Sequence, residues 1–215
     1  LVKRVMYMNY QDKLEKLLEK HNGTILSADI DENKIPRIYL QKMVAEGKLE
    51  KADRGVYVSI DSIEDEMYSL QTKYSKIIYS HETALYIHGL TDRTPFEYSV
   101  SFPSGYKVVP NVADKCKIYY IKNDLHQMGI ISAISSFGNS ISVYNIERTM
   151  CDLIRSRNRI DIQIINDSFK RFVKLKTTDY SLLMEYAKML KVEKILKNYL
   201  EVLIWAVKQW AWKQK

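Results

Sequence analysis

The sequence predicts an α+β chain: a small N-terminal module of short helices and a hairpin, then a larger mixed α+β part. Three observations carry this. Short helical stripes alternate with short apolar runs over the first sixty residues, which close on a hairpin signal. β-Branched and aromatic runs of strand length fill the middle of the chain. After Asn145 the apolar positions recur at helical spacing to the end.

Tyr10, Leu14, Leu17 and Leu18 mark a first helix over 10–20, stopped by His21-Asn22-Gly23. Thr24-Ile25-Leu26 is a short apolar run, and Ser27 is the expected N-cap of a brief helix through Asp29 to Glu32. Ile35-Pro36 opens a third helix, with proline in the first turn where its missing N–H is harmless, and Gly47 closes it. Leu49–Ala52 and Val56–Ser59 are strands around Asp53-Arg54-Gly55, where glycine suits a positive φ. Helix, strand, helix, helix and hairpin in this order is the winged helix-turn-helix layout, and it defines a DNA-binding domain over 1–62.

Residues 63–215 form the second domain. A helical stretch over 63–74, a strand at Ile77–Tyr79 and a Ser80-capped helix ending at Gly89 come first. Strands follow at Tyr98–Phe102, Lys117–Ile121 and Ser140–Tyr144, then helices at 146–155, 161–174, 179–190 and 193–212. In the last helix Val192, Leu196, Tyr199, Leu203, Ala206 and Trp210 make one seam, with Trp205 and Trp212 outside it. Such a seam docks on its own domain or pairs two copies of the chain.

Composition removes several classes of function. Of 215 residues, 46% are apolar and 27% charged, which excludes disorder. Seven glycines, none in G-x-G or before Gly-Lys, exclude the P-loop and the Rossmann fingerprint. Cys116 and Cys151 lie far apart without C-x-x-C, as suits unpaired thiols in a reducing compartment. The four histidines are scattered and no metal set is complete, so neither metal nor cofactor is expected. No apolar run is long enough to span a membrane and Leu1–Tyr10 lacks a signal-peptide core, so a cytoplasmic protein without membrane partners is expected. Leu1 in place of methionine fits a non-standard start codon or residues upstream of Met6 or Met8.

The net charge of +7 and the pI near 9.1 permit a polyanionic partner without demanding one. Residues 1–60 hold eleven basic and nine acidic side chains, a net of only +2, so position matters more than total charge. With Pro36, Leu40, Met43 and Val44 buried, the helical rotation turns Lys34, Ile38, Gln41, Lys42 and Ala45 outward, flanked by Arg37 and Tyr39. No carboxylate interrupts that face before Glu46. Amide and cationic donors for base edges, and an apolar side chain for thymine methyls, are what a recognition helix needs. Lys51 and Arg54 place charge on the hairpin, where a wing meets phosphate. The DNA-binding set is therefore Lys34, Arg37, Ile38, Gln41, Lys42, Lys51 and Arg54. The competing reading is a solvated helix face on a winged-helix adaptor that binds protein without sequence-specific DNA contact.

In the second domain Arg148 and Asp152 stand four apart on a helix. They read as a surface ion pair, with an acid–base or phosphate site around Glu147–Asp152 as the alternative. No nucleophile has a recognisable base beside it and no catalytic residue is assigned, so the chain is not expected to be an enzyme. Arg155, Arg157, Arg159, Lys170, Arg171 and Lys174 are either solvated or a stripe that meets phosphate or serves the second domain's own partner.

Three segments together resemble the AbiEi-type antitoxins and autoregulators of bacterial abortive-infection systems, which are type IV toxin–antitoxin systems. These are the N-terminal module with Tyr39-Leu40 and Arg54-Gly55-Val56-Tyr57, the run from Ser80-His81-Glu82-Thr83-Ala84-Leu85 to Arg93-Thr94-Pro95, and Glu147-Arg148-Thr149-Met150-Cys151-Asp152-Leu153-Ile154-Arg155. The order matches over most of residues 8–200. The resemblance implies a winged-helix repressor that binds double-stranded inverted repeats in its own promoter. It also implies a C-terminal antitoxin domain countering a nucleotidyltransferase-like toxin without a stable complex, in phage defence. A monomer or weak dimer in solution, paired on DNA, goes with that reading. The resemblance supplies no catalytic residues.

Overall fold

The structure is a computed structural model and describes residues 9–201. It is α+β, with N-terminal helices and a larger part built on a sheet. The chain divides into two compact units. One is the chain up to Ser75 together with Ile134–Ile141; the other is Lys76–Ala133 and the chain from Ser142 on.

The first unit begins with helix α1, Tyr10–Lys20, whose Asn9 cap accepts from the Asp12 amide at 2.8 Å. Strand β1 (Thr24–Leu26) follows, then α2 (Ser27–Glu32), α3 (Ile38–Ala45), β2 (Leu49–Asp53), β3 (Val56–Ser59) and α4 (Glu66–Lys73). The three strands form one antiparallel sheet in the order β1-β3-β2, so the unit is winged-helix-like. Its core is Leu14, Ile25, Ile30, Ile35, Leu40, Met43 and Leu49. A second cluster of Leu26, Val56 and Val58 packs against Tyr68 of α4.

Local chemistry differs from expectation at three places here. Leu26 rather than Ser27 occupies the N-cap of α2, and the Asp29 carboxylate caps it by accepting the Leu26 N–H at 2.8 Å. The Ser27 N–H is taken instead by the Gly55 carbonyl at 2.9 Å. Helix α3 starts at Ile38, and Pro36 is exposed, because Ile35 fills the core position and turns the chain outward ahead of the helix. Helix α4 covers only the second part of the expected stretch, since Asp65 caps it by accepting the Tyr68 N–H at 3.0 Å. Gly23 has φ +84°, and a Cβ there would lie 2.1 Å from Ser62 Oγ, so only glycine fits between α1 and β1.

The second unit starts with β4 (Ile78–Tyr79), α5 (His81–Ile87), β5 (Tyr98–Pro103), α6 (Pro110–Ala113), β6 (Cys116–Ile121), α7 (Asn123–His126), β7 (Ile130–Ile134) and β8 (Ser140–Tyr144). The sheet order is β6-β5-β4-β8-β7; β4 runs antiparallel to β5 and parallel to β8, and β5 runs parallel to β6. Helix α8 (Ile146–Arg155), a 3-10 turn (Arg157–Arg159), α9 (Ile162–Phe172) and α10 (Tyr180–Met189) complete it, and the chain is helical again over 193–201. The expected seam beyond residue 201, with Leu203, Trp205, Ala206, Trp210 and Trp212, lies outside the described residues. Leu85, Met150, Leu153, Ile154, Phe169, Phe172, Leu183 and Leu196 make the core. Cys116 and Cys151 are buried and unpaired, and burial pushes their thiols up to about 11 and about 12. Among the described residues no helix is long and apolar enough to cross a membrane.

Candidate nucleic-acid interface

Helix α3 buries Leu40 and Met43, with Val44 half-buried against the same core. That register leaves Ile38, Gln41, Lys42 and Ala45 exposed on the other side, with Lys34 and Arg37 exposed just ahead of them. Ile38 is 62% exposed on that face. Lys34 sits at φ +53° in the turn before the helix.

The acids flanking the helix are held by cations. Arg37 donates to Asp31 through Nε at 3.0 Å and through Nη2, which holds the Asp31 carboxyl below its usual range. Glu46, at the far end, is 3.1 Å from Lys48 and 3.8 Å from Lys42; the hydrogen bond from Lys48 is the main reason its carboxyl is lowered. Arg37 and Lys42 are therefore engaged at the two ends of α3. The Gln41 side chain and the Lys34 ammonium have no hydrogen-bond partner among the described residues.

The hairpin of β2 and β3 turns at Arg54-Gly55, where Gly55 has φ +80°, and its register shifts between Lys51 and Asp53. Asp53 is bonded to Lys73 at 2.8 Å, so that acid is partly neutralised beside the turn. Lys51 and Arg54 are exposed, and neither cation has an ion-pair partner among the described residues. Lys48 and Lys73, which tie down the acids of this face, were not singled out from the sequence. Lys73 reaches Asp53 from twenty positions away, so no local pattern announces that pair, whereas Lys48 and Glu46 stand only two apart.

The basic residues expected to form a surface in the second unit have differing partners. Lys170 pairs with Asp167 at 3.1 Å, and Arg171 grips Asp92 through both Nη atoms. Lys174 is exposed. Arg157 donates to its own helix end at Ile154 O, 3.1 Å away, and Arg159 donates to Ile118 O at 3.1 Å with its guanidinium 4.4 Å from the Tyr119 ring centre. Arg155 and Arg159 line a cavity with His81, Tyr119 and Ser156.

The Arg148–Asp152 pair corrects the surface reading outright. Both side chains are out of solvent, with Arg148 Nε 2.9 Å from Asp152 Oδ2 and Arg148 Nη1 donating to the carbonyls of Leu125 and Met128. Gly129, at φ +79°, lets that loop approach: a Cβ there would be 2.9 Å from Arg148 Cβ. Ser80 holds the N-cap position of α5 but does not cap it. Its hydroxyl bonds His81 Nδ1 and the Ser101 hydroxyl, both at 2.9 Å.

No group of three or more His, Cys, Asp or Glu side chains able to hold a metal occurs among the described residues. Residues 12–60 match the family model described as "Transcriptional regulator, AbiEi antitoxin", so the resemblance is borne out over the N-terminal module. The chain is also similar in fold to the crystal structure of the RV2827C protein from Mycobacterium tuberculosis, at 9% identity and a TM-score of 0.50, covering 89% of this chain and 80% of that one. No curated protein matches the chain.

Proposed function

We propose that this chain, whose residues 12–60 match a family of antitoxin transcriptional regulators, is a DNA-binding autorepressor and the antitoxin of a type IV toxin–antitoxin system in phage defence. Its winged helix-turn-helix DNA-binding domain lies in the first unit and its antitoxin domain in the second, acting in the cytoplasm. The partner DNA is a double-stranded promoter with inverted repeats, and the toxin is nucleotidyltransferase-like and is countered without a stable complex. The protein has no catalytic role.

One observation carries the reading: the outward face of α3 is free of unpaired carboxylates and stands next to a hairpin whose Lys51 and Arg54 are unengaged. Gln41 and Lys42 reach base edges, Ile38 meets thymine methyls, and Lys34, Arg37, Lys51 and Arg54 serve phosphates. Copies of the chain, monomeric or weakly dimeric in solution, pair on the two half-sites.

A gel shift with the DNA upstream of the reading frame, at two salt concentrations, tests this. Phosphate contacts give a steep loss of affinity with salt. A promoter reporter and co-expression with the adjacent toxin then separate repression from rescue. Absence of any shift at low salt, with rescue intact, would favour the protein-binding adaptor.

A further inference from the structure

We infer that the cavity at the C-terminal end of α8 is a binding site for a phosphate monoester of mononucleotide size. The inference goes beyond the repressor reading and does not depend on it, since every lining residue belongs to the second unit.

The cavity measures about 310 Å³, within the range of small-ligand sites. Arg155, Ser156, Asn158 and Arg159 line it from the helix end and the 3-10 turn, with His81 and Tyr119 opposite in the fold. Arg155 is exposed, and its guanidinium has no hydrogen-bond acceptor among the described residues. Arg159 spends one Nη2 donor on Ile118 O and keeps others. Two guanidinium forks with an amide and a hydroxyl beside them match the planar, bidentate geometry of phosphate oxygens. Asp152 is the one acid of the lining, and Arg148 at 2.9 Å balances its charge. The lining is therefore net cationic.

Two further features mark a built site rather than a chance gap. His81 is held at φ +46°, a left-handed backbone for a residue with a side chain, while its ring is fixed from three sides. Nδ1 meets Ser80 Oγ at 2.9 Å, Nε2 meets Ser156 Oγ at 3.0 Å, and the ring stacks on Tyr119 at 3.5 Å between centres. The arrangement sets the Ser156 hydroxyl in place. Tyr119 is 5% exposed, and the Arg159 guanidinium is held 4.4 Å from its ring centre, which fixes that fork at the cavity.

One terminal phosphate can arrive on a free mononucleotide or on a 5′-phosphorylated nucleic-acid end. Calorimetry on the full chain would use 5′-AMP, inorganic phosphate, and a short oligonucleotide with either a 5′-phosphate or a 5′-hydroxyl. Arg155→Ala should weaken binding of the phosphorylated probe at least tenfold, and Arg155→Lys should recover only part. Lys188→Ala, an exposed cation outside the cavity, should change it less than twofold. Arg155 is exposed and unbonded, so its loss leaves the fold intact, as a melting curve would confirm. Binding of 5′-AMP identifies the free nucleotide as the source; binding of the 5′-phosphorylated oligonucleotide alone identifies the strand end. Either supports the site. It is overturned if 5′-AMP does not bind and the 5′-phosphate adds nothing to oligonucleotide binding, or if Arg155→Ala and Lys188→Ala act alike.

Discussion

Arg148 and Asp152 form a buried ion pair, Nε to Oδ2 at 2.9 Å, on a helix that packs against the core. The arginine is also stacked 4.3 Å above the Tyr144 ring and ties the loop at Leu125 and Met128 to α8 through two carbonyls. One of its donors, Nη2, has no partner, so the desolvation of this guanidinium is only partly offset. The pair thus specifies how loop and helix meet more than it stabilises them.

Removing one partner should therefore cost much more than removing both. Asp152→Leu or Arg148→Met alone is expected to destabilise the chain by about 3–5 kcal/mol, because the remaining charge is buried and unpaired. The double variant should lose less than the sum. Urea denaturation of the four proteins measures the coupling, and simple additivity would show that the two side chains act independently.

Acid should weaken the second unit above the range where carboxylates titrate. Burial lowers His81, His88 and His126 below the ordinary histidine value. The folded state then keeps them neutral while the unfolded chain takes up protons. Stability is fully present above pH 6.5 and is lost as pH falls toward the depressed folded values, by up to about 1.4 kcal/mol per pH unit for each histidine. His88 bonds the Tyr144 carbonyl at 2.7 Å, so His88→Gln retains a donor and removes one titrating group. The slope of unfolding free energy between pH 7.5 and 5 should flatten in that variant; an unchanged slope would count against His88 as a contributor.

Sequence choice and affinity should separate between α3 and the hairpin. Gln41→Ala and Lys42→Ala are expected to weaken operator DNA more than random DNA, by roughly 1–3 kcal/mol for a good bidentate contact. Arg54→Ala should weaken both alike and reduce the salt slope by about one. Equal losses on both DNAs for the two α3 variants would remove this helix from the role of reader.

Asp65 should govern the segment 134–141. Its carboxylate is 1% exposed and accepts from Asn139 Nδ2 at 2.9 Å, the Ser135 hydroxyl and the Tyr68 amide. Asn139 also donates to the His21 carbonyl at 3.1 Å. Asp65→Ala leaves the Ser135 hydroxyl without this acceptor and Asn139 Nδ2 with only the His21 carbonyl, which should cost about 1–3 kcal/mol. Amide exchange at Asn139, whose N–H is held by Ser135 Oγ at 3.1 Å, should accelerate at least tenfold. Protection that persists in the variant would place the anchoring elsewhere.

Much of this architecture is legible locally. Helices α1 and α8 and strand β8 are expected with the bounds they have, because an apolar period and a capping or turn residue act within a few positions of each other. The outward side chains of α3 follow in the same way, since a helix with Leu40 and Met43 buried has only one other face. Strand β7, Ile130–Ile134, has no comparable signal: it lies at the sheet edge with Ile131 and Ile134 exposed, and its neighbour β8 defines it. Spacing put Arg148 and Asp152 on one helical face, but only the loop admitted by Gly129 decides that this face is sealed from water. The bond from Asp65 to Asn139 spans 74 positions, as the cavity joins His81 to Arg155 and Arg159. Residues that far apart share no period; their meeting is decided by which surfaces pack, and so by the tertiary structure alone.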